Sequence, residues 1–106
     1  MHIEVRTYRP RDGAIPDYLA AVAEGIAIQR RHLGALLDHY SSEIGPINQI
    51  AHIRAFASLD DREALRTRLG ADPEWRAFRP RIRDLIEVVE TRIMKPAPFS
   101  PVPDFA

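Results

Sequence analysis

Apolar and polar positions alternate from His2 to Arg9. Ile3, Val5 and Thr7 fall on one side and Glu4, Arg6 and Tyr8 on the other, the period of two that a half-covered strand requires. Pro10 stops the alternation and Asp12-Gly13 is a turn signal. The period then lengthens, and Ile15, Tyr18, Leu19, Val22, Ile26 and Leu33 share one helical stripe, with Pro16 tolerated in the first turn and Gly34 closing the helix. Alternation returns over residues 35–44 and 47–57, predicting a hairpin around Gly45-Pro46. Closed symmetrically, it sets Glu43 opposite Asn48, Ser41 opposite Ile50, His39 opposite His52 and Leu37 opposite Arg54. Ser58-Leu59-Asp60-Asp61 resembles a capping box, opening a short helix with Leu65 and Leu69 one turn apart and Gly70 at its end. Asp72-Pro73 opens the next, whose buried stripe is Trp75, Phe78, Ile82 and Leu85, and Pro80 inside it predicts a kink. Residues 88–95 alternate again.

This order is β-α-β-β-α-β, so the expected class is α+β: a ferredoxin-like domain over residues 1–95 with an antiparallel four-stranded sheet in the order 4-1-3-2. Residues 96–106, PAPFSPVPDFA, hold four prolines and should form an extended arm. Strands one and four are then neighbours. Pairing Glu4 with Arg92 also pairs Arg6 with Glu90, and the same register puts Ile3 by Ile93 and Val5 by Thr91. On this reading the apolar side of the sheet, with Ile3, Val5, Val89 and Ile93, meets the helices. The polar side, with Arg6, Tyr8, His39, His52, Arg54 and Phe56, is left uncovered for a partner subunit.

Fifteen basic residues balance fifteen acidic ones, which removes the electrostatic footprint of a nucleic-acid or anionic-membrane binder. The chain has no cysteine, so neither a disulfide framework nor a thiolate nucleophile is available. No apolar run approaches the roughly 20 residues a spanning helix needs, and the first residues lack an apolar signal core, so a cytoplasmic location is expected. A chain of 106 residues builds a modest core and gains from a second copy.

Candidate chemistry gathers on the polar side. His39 and His52, opposite each other on a ladder, have Cβ atoms roughly 5 Å apart. Glu43 lies on the order of 13 Å along the strand, too far to complete a coordination sphere, and neither metal nor cofactor is expected. Arg54 lacks a partner at this register, and near His52, Tyr8 and Arg6 it suits a carboxylate or enolate; alternatively it closes an ion pair across a dimer. Gln29 falls on the buried stripe of the first helix, where an amide needs partners: a strand backbone, or a pocket shared with Tyr40 and Trp75. The candidate catalytic residues are therefore Tyr8 and His52, and the candidate binding residues Arg6, Gln29, His39, Arg54 and Trp75.

RTY at 6–8, QRRHLG at 29–34, SEIGPINQIAHI at 42–53, DPEW at 72–75 and RIMKPAPFSP at 92–101 resemble the NIPSNAP-like proteins across nearly the whole chain. The resemblance implies a dimeric α/β barrel, two ferredoxin-like sheets facing each other with helices outside. Relatives on that architecture include cofactor-free monooxygenases, haem enzymes and proteins without known chemistry. Arg54 departs from the aromatic residue of many relatives. Two functions fit. One is a small-molecule-binding protein, a cofactor-free enzyme of monooxygenase or isomerase type acting on an acidic or enolisable apolar compound. The other is a non-catalytic homo-oligomeric module whose proline-rich arm clasps its neighbour.

Overall fold

The structure, a computed structural model, describes residues 1–33 and 38–101. Four strands, β1 (His2–Pro10), β2 (Asp38–Ser41), β3 (Ile50–Phe56) and β4 (Ile86–Met94), form one antiparallel sheet in the order β2-β3-β1-β4. Helices α1 (Ile15–Leu33), α2 (Leu59–Ala71) and α3 (Pro73–Arg83) complete a ferredoxin-like α+β domain. The expected strand order is observed, and the helical connection between β3 and β4 consists of two helices, α2 and α3, matching the two helix starts read at Ser58 and Asp72. Gly34 and Leu37 lie outside the described residues, as do residues 102–106 of the expected arm; the described part of that arm carries one turn, closed by Ser100 N–H donating to the Ala97 carbonyl at 2.9 Å.

The hairpin register is the expected one, with His39 opposite His52 and Ser41 opposite Ile50. Its strands are shorter than the alternation suggested. Gly45 (φ 124°) and Asn48 (φ 54°) both take left-handed backbone, and Asn48 Nδ2 donates to Asp12 Oδ1 at 2.7 Å instead of facing Glu43. The ladder between β1 and β4 is displaced by one residue from the expected register: Val5 faces Arg92, Arg6 faces Thr91 and Thr7 faces Glu90. An irregularity at Arg9/Pro10 causes the slip, because Pro10 faces Ile86 while Arg9 faces Val88, leaving Glu87 without an opposite residue. A slip of one moves every β4 side chain to the other face, so the predicted Glu4–Arg92 and Arg6–Glu90 pairs do not form.

The larger correction concerns which face the helices cover. Tyr18 of α1 reaches His52, Gln29 of α1 reaches Arg54, and Arg62 of α2 reaches Glu4. The polar set is therefore roofed by helices, and Ile3, Val5, Ala51, Ile53 and Met94 lie on the open face with Tyr40. Alternation separates two sets of side chains but does not say which set the helices meet; here the helices carry polar partners for the polar set.

Helix packing explains two of the sequence segments. Asp72 caps α3, its Oδ1 accepting from Glu74 N–H at 2.8 Å, with Pro73 in the first turn. The α1 segment QRRHL docks on DPEW: Arg31 donates to Glu74 at 2.6 Å, and His32 Nε2 lies 2.7 Å from Asp72 Oδ2. Leu33, Ile28 and Leu69 form a buried cluster against Trp75 and Phe78, while Tyr18, Val22 and Ile50 form a second against Ile82, Leu85 and Ile86. The α1 stripe is rotated from the expected one, with Ala21, Gly25 and Ile28 buried and Leu19 exposed. Small residues let α3 approach closely: a Cβ at Gly25 would lie 2.3 Å from Phe78 Cε1. Gly70 stays within α2, which runs on to Ala71, and α3 continues through Pro80 to Arg83.

Candidate functional site

The two inner strands, β1 and β3, bring Arg6, Tyr8, His52 and Arg54 to the middle of the sheet, pointing at the helices. His52 lies between His39 and Arg6 in the ladder, and Glu4 beside Arg54. Glu4 is fully buried, with Arg62 Nε at 2.6 Å and Arg66 Nη1 at 3.8 Å from its carboxylate. Arg54, 4 % exposed, donates from Nη2 to Gln29 Oε1 at 2.6 Å, so a neutral amide accepts from it. Its other terminal nitrogen, Nη1, and Nε of Arg6 are both buried without a hydrogen-bond partner. The Arg6 guanidinium also stands 5.3 Å from the centre of the Tyr8 ring.

Between this floor and the helices lies a cavity of about 310 Å³, near the lower end of small-molecule pockets at roughly 300–1,000 Å³. Arg6, Tyr8, Tyr18, His52, Arg54 and Arg66 line its polar part, and Val22, Leu33, Leu69, Trp75, Ile82 and Val89 its apolar part. Exposed lining residues mark the mouth, namely Gly70 of α2, Arg79 and Arg83 of α3, and Glu87 and Val89 of β4.

The charge states follow from burial. Desolvation first, and then His39, Arg54 and Arg6, hold the His52 imidazole down at about 3, so it is neutral near pH 7. Burial, helped by Arg54, also lowers His39. Burial raises the Tyr8 phenol, with Arg6 opposing, and raises Tyr18, so both hydroxyls stay protonated. Burial lowers Arg54 and Arg66, but an arginine ordinarily near 12.5 keeps its charge at neutral pH. Four guanidinium groups, Arg6, Arg54, Arg62 and Arg66, thus share this region with one buried carboxylate, Glu4, which Arg62 and Arg66 approach. The arrangement can hold an anion, donate hydrogen bonds from neutral phenols, and offer a neutral imidazole whose Nε2 lies 3.2 Å from the Tyr18 hydroxyl.

Six of the seven residues singled out in the sequence, Arg6, Tyr8, Gln29, His52, Arg54 and Trp75, line this cavity. His39 does not; its ring packs 3.9 Å from that of His52, on the side of β2. Tyr40 is also elsewhere, on the open face and donating to Asp38 Oδ1 at 2.7 Å. Arg54 is enclosed by its own chain's helices, which removes the expected ion pair across a sheet-to-sheet interface. Sequence reasoning missed Tyr18, absorbed into a core stripe, and Arg66. The pair Arg62 and Arg66, one helical turn apart beside Leu65 and Leu69, was the available signal for a polar contact under α2. Among the described residues no group of three or more His, Asp, Glu or Cys is placed to hold a metal ion, and no helix is long and apolar enough to cross a membrane.

The family model NIPSNAP matches residues 3–101. A crystal structure of a NIPSNAP family protein with unknown function from Agrobacterium tumefaciens is 63% identical, with a TM-score of 0.92 over 95% of this chain and 92% of that one. Protein NipSnap of Drosophila melanogaster is 29% identical over 92% of this chain. The chain spans 36% of that relative's length, 32% of a Dictyostelium discoideum homologue and 18% of a Caenorhabditis elegans one. At 18% identity the fold recurs in SnoaB, a cofactor-independent oxygenase from Streptomyces nogalater, with a TM-score of 0.65 over 97% of both chains.

Proposed function

The chain belongs to the NIPSNAP family, and from the cavity it builds between sheet and helices we propose that it binds a small organic acid with an apolar body. The observation that carries this reading is the pair of buried guanidinium nitrogens, Arg6 Nε and Arg54 Nη1, left without acceptors beside a cavity. An unpaired buried donor costs roughly 1–3 kcal/mol, more when charged, and a ligand carboxylate or enolate supplies the missing acceptor. Trp75, Val22 and Val89 accommodate the apolar part.

The same geometry suits proton transfer without a cofactor. An enolisable acid held on Arg54 and Arg6 would lose a C–H proton to the neutral His52 imidazole, and the guanidinium groups would hold the enolate oxygen that forms, as preorganised charge does wherever negative charge develops. Tyr8, whose ring lies 4.7 Å from that of His52, would donate its hydroxyl proton to the same oxygen. In the empty site burial first, and then the neighbouring His39, Arg54 and Arg6, keep His52 a weak base; a bound anion offsets the cationic part and raises its basicity. The occurrence of this fold in a cofactor-independent oxygenase supports that class of chemistry.

The open apolar sheet face supports self-association as well. It presents Val5, Ile53 and Met94, and the exposed Ile44, Ile47 and Phe99 lie outside the core. A second copy facing it would bury an apolar surface and leave each cavity intact on the far side of its own sheet.

Trp75 is the chain's single tryptophan and lines the cavity, so its fluorescence reports occupancy directly. Titration with a panel of aryl and alkyl carboxylic acids should give saturable quenching. Arg54→Leu should weaken it by about 1.5 kcal/mol or more, roughly tenfold, with the circular dichroism spectrum retained. For an enolisable ligand, exchange of its acidic C–H for deuterium in heavy water should be faster with the protein and should fall in His52→Ala. Equal binding by wild type and Arg54→Leu would sink the reading.

A further inference from the structure

The cavity's charge does not end at its floor. Arg79 and Arg83 of α3 line it as well, at the mouth, in the same lining as Glu87 and Val89 of β4. They stand four residues apart, which places two like charges one above the other on one helix surface. Neither makes an ion pair among the described residues. Their helix neighbour Arg81 points elsewhere, to Glu24 of α1, and the acid nearest in the lining, Glu87, lies 3.6 Å from Arg9 Nε. One continuous cavity is thus lined by the guanidinium groups of its floor and by those of α3, with Trp75, Ile82 and Val89 among its apolar lining.

We propose that Arg79 and Arg83 form a second anion subsite at the cavity mouth, so that the ligand class is an elongated organic dianion, acidic at both ends and apolar in the middle. This rests on the reading of the floor as an anion site and narrows its ligand. One acidic group accepts from Arg6 and Arg54 in the buried end, where water is excluded and charge-assisted hydrogen bonds are strongest. The other lies between two guanidinium forks at the mouth, where solvent screening makes the contribution smaller but additive along a single ligand. A monoacid of the same length places charge only at the inner end and gives the mouth pair no counter-ion.

The test is a comparison of α,ω-alkanedioates, from hexanedioate to dodecanedioate, with the monocarboxylates of equal length, each followed by Trp75 fluorescence in wild type, Arg79→Gln/Arg83→Gln and Arg54→Leu. In wild type a diacid of matching length should bind about tenfold or more tightly than its monoacid, with an optimum within the series. The mouth double variant should bring the diacid down to the affinity of the monoacid, whereas Arg54→Leu should weaken both. Diacid and monoacid binding equally well in wild type, or a mouth variant that weakens both alike, would overturn the second subsite while leaving the floor site standing. Binding of neither class would overturn the floor site and this inference with it.

Discussion

An imidazole that ionises near 6.5 in the unfolded chain and near 3 in the folded one makes His52 a measurable drain on stability in mild acid. The depression arises mainly from burial, and the charged or titratable groups around the ring are Arg6 and Tyr8 from β1, His39 from β2, Arg54 on its own strand and Tyr18 from α1. Between those two values only the unfolded state binds the proton. Stability therefore rises with pH through the window and falls as pH drops below about 6.5. Taking 1.36 kcal/mol for each pH unit, the loss between about pH 7.5 and 5 comes to roughly 2 kcal/mol from this side chain alone, a large fraction of a typical domain's total of about 5–15 kcal/mol. His52→Gln keeps a polar group within reach of the Tyr18 hydroxyl and removes the titration. Urea unfolding of wild type and variant across that range should show the two stability curves converging as pH falls, by about that amount. His39, lowered in the same direction, contributes to both curves and cancels in the difference. Parallel curves would refute the reasoning, since they would mean that His52 is as easily protonated in the folded protein as in the unfolded chain.

Two further outcomes follow from the packing. Gly25→Ala places a methyl 2.3 Å from Phe78 Cε1, so α1 and α3 must separate or the Phe78 ring must turn; a loss of about 1–3 kcal/mol is expected in thermal or urea unfolding, opposite in sign to the usual helix gain from glycine to alanine. Ile53→Arg puts a charge in the middle of the open sheet face: wild type should sediment at about twice the 12.1 kDa chain mass or a multiple of it, and the variant as the monomer, with Trp75 quenching by ligand retained.

Much of the fold is legible in the chain because it is set by local rules. Period two in residues 2–9, the Asp72-Pro73 helix start and the symmetric hairpin register each depend on neighbours a few residues away, and each appears in the structure. The same rules grouped Arg6, Tyr8, His52 and Arg54 on one face, which is why most of the candidate site could be named before its surroundings were known.

What only the tertiary structure decided is where that face points. Alternation is symmetric between the two sides of a sheet, and a polar set looks destined for solvent or a partner until helices bring Tyr18, Gln29, Arg62 and Arg66 to it from 25 to 62 positions away along the chain. The irregularity at Arg9/Pro10 is equally invisible: one unpaired residue, Glu87, reverses the β4 faces and replaces an attractive pattern of opposite charges with another pairing. Sequence by itself thus determined the elements, their order and which side chains travel together. Burial decided the rest, because the free energy of enclosing several guanidinium groups with one carboxylate depends on every element packed around them, and no window of the chain contains them all.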